Sequence, residues 1–205
     1  MEVILCDKNP EVIKAWHYFF DRGGRVTIIE GDILDAGVSA VVLPINSFGI
    51  MDDGFAEAIN KATDGLLETR ARKLILEKYA GEIPVGTAEV MSSGLDKPPL
   101  AVLAPSVRVP MRQQSPSVHT YLSTRAALRA VAAYIRNGEG QRGAEQLSSV
   151  GFVGMGMGQG GVPPATAAFQ MYEAYCQVVL GQVPNFATLE AATAHDQELR
   201  KNRFM

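Results

Sequence analysis

The residues with the plainest chemical potential are glycines. Gly151-Phe152-Val153-Gly154-Met155-Gly156-Met157-Gly158-Gln159-Gly160-Gly161-Val162-Pro163-Pro164 begins in a short apolar run and ends in a Pro-Pro step that opens a helix. Glycine lets backbone N–H groups come close to a ligand. A glycine loop running into a helix N-terminus gathers unpaired N–H groups and the positive end of the helix dipole, which suits an anion such as a diphosphate. A Walker P-loop is excluded, because no Gly-Lys-Ser/Thr follows. Gly156-x-Gly158-x-x-Gly161 matches the dinucleotide fingerprint. However, it lies late in the chain with no clear strand after its helix, so a Rossmann βαβ unit cannot be completed.

Such a loop needs a sheet to present it. Apolar runs at 3–6, 26–30, 38–44, 87–92, 100–104 and 148–153 read as strands. Helical spacing follows at 10–20, opened by Asn9-Pro10 and stopped at Gly23-Gly24, with the single tryptophan, Trp16, on its core face. It recurs at 55–61, 66–79, 117–137 and 163–180. Residues 105–116 read as a long polar loop, 138–143 as a flexible turn and 189–203 as a polar peripheral helix or tail. This alternation argues for a helix-covered, mostly parallel sheet, whose ligands sit beyond the C-terminal strand ends. The loops at 31–34, 46–54 and 154–161 all follow strands and are expected to converge on one crevice.

Size and composition bound the rest. The 205 residues, 47% of them hydrophobic, suit one α/β domain with a real core. A net charge of −3 argues against a general nucleic-acid binder. No apolar run approaches a membrane span and no signal-peptide pattern opens the chain. With only two cysteines a disulfide framework is not expected, and a reducing cytoplasm is the expected location. Cys6 and Cys176 read as small core hydrophobes. The three histidines are scattered, with no metal-ligand spacing, and nothing calls for a cofactor.

Four segments in order resemble the macrodomain family, in particular a bacterial and phage-type subgroup. They are Gly31-Asp32-Ile33, Val42-Leu43-Pro44-Ile45-Asn46-Ser47, Asp52-Asp53-Gly54-Phe55-Ala56-Glu57-Ala58-Ile59, and the late glycine loop. Residues 104–110 and 121–128 also look like that subgroup. The resemblance covers about residues 25–182. It implies a single domain over 1–205 with a three-layer α/β/α fold and a central mixed, mostly parallel sheet. The strand-helix at 1–24 and the tail at 183–205 would flank that core.

Macrodomains bind ADP-ribose, so the resemblance implies ADP-ribose or a related NAD-derived nucleotide as ligand, free or on a modified macromolecule. Asp32 would accept from the adenine amino group, with the Ile33 backbone completing the contact. Met157, Gly158, Gln159, Gly160 and Gly161 would cradle the diphosphate through their amides. Asn46 would hold the terminal ribose, since an amide offers a diol both a donor and an acceptor. Gly49, Asp52, Asp53, Gly54 and Phe55 would wrap ribose and diphosphate. From the residues themselves, the alternatives are that Asp32 caps its turn and that Asn46 braces its loop.

The chain departs from the family in the first loop. Asp53 stands where a glycine is expected, and Ala56 where many active members have an aspartate. Ala56 cannot position or deprotonate water, and an inward Asp53 would repel a diphosphate. Two outcomes stay open. Asp52 or Asp53, beside Asn46, could serve as the base of an ADP-ribosyl hydrolase or an ADP-ribose phosphatase; or the site only binds, which the sequence favours. A third reading is an assembly protein on a degenerate macrodomain. Arg108, Arg112 and His119 are less informative: the arginines suit a phosphate or solvent equally.

Overall fold

The computed structural model describes residues 1–21, 26–112, 117–138 and 147–203. The expected helix stop at Gly23-Gly24, most of the turn at 138–143, and Gln113 and Gln114 of the polar loop fall outside those residues.

Six strands form one sheet: β1 (Glu2–Asp7), β2 (Val26–Glu30), β3 (Ala40–Asn46), β4 (Glu89–Ser92), β5 (Leu100–Val107) and β6 (Ser149–Phe152). Their spatial order is β2-β1-β6-β3-β5-β4. Every described pairing is parallel except β4 with β5, so the sheet is mixed and mostly parallel. Strand side chains alternate between faces. On one face Val3, Leu5, Val42 and Phe152 pack under three helices: α1 (Pro10–Phe20), α4 (His119–Gly138) and α5 (Pro164–Val178). On the other, Ile4, Cys6, Val41 and Leu43 pack under α2 (Gly54–Ala62) and α3 (Leu66–Tyr79). Both faces are covered, which is why the strands read as unbroken apolar runs. The result is a three-layer α/β/α sandwich. Both cysteines are buried in it, and Trp16 is fully buried beneath α1. Among the described residues no helix is long and apolar enough to cross a membrane.

Local signals explain most element ends. Asn9 caps α1 by accepting from Glu11 N at 3.0 Å, and Pro10 takes the first position. Pro105 to Val107, expected to begin a loop, extend β5 instead. All three are buried, Pro105 and Val107 pair with the end of β3 on either side of a register irregularity, and the Pro105 carbonyl accepts from Ser123 Oγ of α4. The polar C-terminal helix α6 (Leu189–Arg200) docks rather than only facing solvent. Leu199 is 2% exposed. The buried Gln170 amide of α5 donates to Leu199 O at 2.9 Å and to Ser117 O at 2.6 Å, and accepts from Tyr121 N at 3.1 Å.

The N-terminal unit has a place that the sequence did not suggest. β1 lies inside the sheet, between β2 and β6, so its C-terminal end stands between the strand leading to Asp32 and the strand leading to the glycine loop.

Candidate functional site

The three loops singled out in the sequence meet around one cavity of about 530 Å³ at the C-terminal ends of the parallel strands. This lies within the common range for small-molecule sites, about 300–1,000 Å³.

One end is built by β2 and the short 3-10 turn Ile33–Asp35 that follows it. Asp32 caps this turn, its Oδ1 accepting from Leu34 N at 3.0 Å. Its Oδ2 takes Lys8 Nζ at 2.7 Å. The Lys8 ammonium, and then the Leu34 amide, hold the Asp32 carboxyl below the usual carboxylate range. Asp32 in turn raises the Lys8 ammonium above its ordinary value. The pair lies at the surface, the Lys8 side chain being 73% exposed, so it adds little to stability.

The glycine loop leaves β6 in the middle of the site. Asp7, the last residue of β1, anchors its start: Oδ2 accepts from Gly154 N at 3.0 Å, and Oδ1 from Asn9 N at 2.9 Å. Gly161 N returns to Gly158 O at 3.0 Å and Val162 N to Gly156 O at 3.1 Å, closing a tight turn. Gly156 has φ +71, and a Cβ at Gly160 would lie 2.6 Å from Gly156 O. Only glycine meets both demands without strain. Between these closures the amides of Met157, Gly158, Gln159 and Gly160 have no acceptor among the described residues, and all four residues line the cavity.

The opposite wall comes from β3 and the loop into α2. The register irregularity between β3 and β5 falls at Ile45/Asn46, and it turns the chain out of the sheet there. The Asn46 side chain then shapes the loop. Its Oδ1 accepts from Phe48 N at 3.1 Å and Ile50 N at 3.2 Å, and its Nδ2 donates to Ile50 O at 2.7 Å. Of this amide's capacity only one N–H is left for a ligand. Gly54, Phe55 and Ala56, at the N-terminus of α2, line the cavity, so a second set of helix-start amides borders it. Asp53 points across the opening, where Gln159 Nε2 donates to its Oδ2 at 2.5 Å.

Most sequence candidates are therefore brought together: Asp32, Ile33, Asn46, Asp52, Asp53, Gly54, Phe55 and Met157 to Gly160 all line the cavity. Two expected binding residues do not. Gly49, with φ +69, backs onto α3, where an added Cβ would meet Ile75 Cδ1 at 2.7 Å. Gly161, with φ +63, faces Arg112 on the outer side of its turn. Both glycines have positive φ and let the backbone turn. Arg108 is engaged elsewhere, donating to both Glu82 carboxylate oxygens at 2.7 and 3.0 Å, its guanidinium lying 5.4 Å from the Phe48 ring centre. His119, half-buried at the start of α4, does not line the cavity; burial, and then Arg200, push its imidazole below the ordinary value.

Asp7, Lys8 and Asn9 line the cavity and were missed in the sequence. The signal was available. They stand at the C-terminal end of a strand, where sheets of this class place ligands. Among the described lining residues Lys8 is the only cation, against Asp7, Asp32, Asp52 and Asp53. An anionic ligand here must therefore rely on backbone amides more than on side-chain charge.

No protein-family model matches the chain. An uncharacterised protein of Aeropyrum pernix is 29% identical over 180 residues, covering 87% of this chain and 83% of its own length. An uncharacterised protein of Aquifex aeolicus is 30% identical over 148 residues, covering 72% and 79%. Among solved structures, the macrodomain of Mycobacterium tuberculosis DarG superposes with a TM-score of 0.54 at 23% identity, over 72% of this chain and 87% of that one. The Oceanobacillus iheyensis macrodomain with ADP gives 0.53 at 21%, over 69% and 70%. Thermosipho africanus DarTG in complex with ADP-ribose gives 0.52 at 17%, over 76% and 39%. The fold is that of a macrodomain. Within that class, the chain belongs to one family with the Aquifex aeolicus protein.

Proposed function

We propose that the cavity binds ADP-ribose, or an NAD-derived nucleotide containing it, free or carried on a modified macromolecule. The observation that carries this reading is the run of four amides, Met157 to Gly160, without an acceptor among the described residues, in one cavity lined also by the start of α2, by Asp32 at one end and by Asn46 in its wall. A diphosphate held at those amides needs no side-chain cation. The adenine amino group would then donate to Asp32, and the terminal ribose would lie against the Asn46 loop. Structures of the same fold hold ADP and ADP-ribose, which supports the choice of ligand.

Binding without turnover is the reading favoured. Ala56 carries no acid or base, Asp53 is bonded to Gln159, and most of the Asn46 amide is taken up by its own loop. Asp52 would be the one lining carboxylate left to activate water at the ribose end. Calorimetry with ADP-ribose tests the binding: no heat at millimolar ligand refutes it. Asp32→Ala is expected to weaken ADP-ribose by about 1–3 kcal/mol, the cost of leaving a buried donor unpaired. Time-dependent release of ADP-ribose from modified protein or nucleic acid, lost in Asp52→Asn, would replace the binding reading with a hydrolase.

A further inference from the structure

The Asp32 end of the cavity carries a group that adenine recognition does not call for. Lys8, in the β1–α1 connection, reaches 2.7 Å from Asp32 Oδ2, and both residues line the cavity. Asp32 Oδ1 is already occupied by Leu34 N. An incoming base therefore meets an acceptor and a donor side by side, rather than a bare carboxylate.

The two arrangements select differently. A carboxylate only accepts. It suits the amino group at position 6 of adenine and repels a carbonyl oxygen there. An ammonium only donates, and suits that carbonyl. In hypoxanthine and guanine the carbonyl O6 and the N1–H donor are neighbours on one ring edge. Nζ and Oδ2 of the Lys8–Asp32 pair are neighbours in the same sense. Lys8 is the only cation in the described lining to set against the Asp32 carboxylate. The Lys8 side chain is mostly in solvent, so it can turn toward a ligand without disturbing the core.

We propose that Lys8 and Asp32 together form a two-sided purine reader, so that the site accepts 6-oxopurine nucleoside diphosphate riboses as well as ADP-ribose. This rests on the reading that the cavity holds a nucleoside diphosphate ribose. With adenine, the amino group donates to Asp32 and Lys8 stays on the carboxylate. With hypoxanthine or guanine, N1–H donates to Asp32 and Lys8 Nζ donates to O6.

Calorimetry on the full chain with ADP-ribose, IDP-ribose and GDP-ribose, repeated on K8M, tests it. For the wild type, the oxopurine ligands are expected within about tenfold of ADP-ribose, a gap of about 1.4 kcal/mol. In K8M the preference for ADP-ribose over IDP-ribose should rise by about tenfold or more, as a carbonyl left facing an unbalanced carboxylate requires. An unchanged preference in K8M overturns the inference, whether all ligands weaken equally or none does. Rejection of both oxopurines by the wild type also overturns it. Binding of oxopurine ligands without ADP-ribose would refute the adenine reading of the cavity and, with it, the two-sided reader. Binding of none of the three sinks both.

Discussion

Gln159 and Asp53 join the two walls of the cavity: the glutamine amide donates to Asp53 Oδ2 at 2.5 Å, between residues 106 positions apart in sequence. This fixes where the unexpected acidic residue of the first loop points. Its carboxylate reaches across the opening to the Gln159 side chain of the glycine loop.

Removing that carboxylate should help an anionic ligand. Asp53 stands at the N-cap position of α2 but makes no side-chain cap bond, so Asp53→Ala should cost the helix little. A unit charge several ångströms from a diphosphate, partly screened by solvent, is worth about 1 kcal/mol, or about a fivefold gain in affinity once it is gone. Calorimetry at low and high salt checks this, because the gain should shrink as salt rises. A loss of affinity in Asp53→Ala would mean that the clasp with Gln159 supports the ligand instead.

Two neighbouring glycines should respond differently to a methyl group. A Cβ at Gly160 would press on the Gly156 carbonyl, whereas one at Gly158 meets nothing within 4 Å. Gly160→Ala should cost about 1–3 kcal/mol of stability, as overpacking against backbone does. Gly158→Ala should stay within about 0.5 kcal/mol. Thermal denaturation of the pair decides, and equal effects would contradict the turn geometry.

His119 should make stability fall on mild acidification. Burial, and then Arg200, lower its folded-state pKa from 6.5, so the unfolded chain binds its proton more readily. Its contribution is fully present above pH 6.5 and is lost as the pH falls from there through the folded-state value. Thermal melts between pH 7.5 and 5.5 should show that slope, and His119→Gln should flatten it.

The docked C-terminal helix should contribute to global stability. Leu199→Ala removes a side chain that is 2% exposed. A loss of about 2–4 kcal/mol is expected from urea denaturation, the range for emptying a buried leucine site. A change below about 0.5 kcal/mol would mean that α6 is only a surface attachment.

The fold class was legible because it is written locally. Unbroken apolar runs, the Asn9-Pro10 cap and the spacing of α4 and α5 each specify an element without help from afar. The glycine loop was legible for the same reason: its turn is made by glycines within six residues of one another. What could not be read depends on partners distant in sequence. Glu82, 26 positions from Arg108, takes that guanidinium out of the site. Ile75 decides that Gly49 backs onto a helix. The Asp32 carboxylate was assigned without Lys8, because nothing local says that β1 enters the sheet beside β2. Asn46 was read with both of its uses open, and its bonds within the loop come from a bulge that no periodicity announces.

The place of β1 also bears on how the molecule is made. Asp7 and the Gly154 amide it holds are 147 residues apart. At ribosomal rates of about 5–20 residues per second, the first strand waits roughly 7–30 s for β6 to be synthesised. During that interval β2 can cover one edge of β1, while the other edge, carrying Val3 to Cys6, has no strand beside it. An apolar edge left open for that long is a template for unwanted pairing. The nascent chain is thus vulnerable to aggregation along the seam at whose end the finished protein builds its cavity.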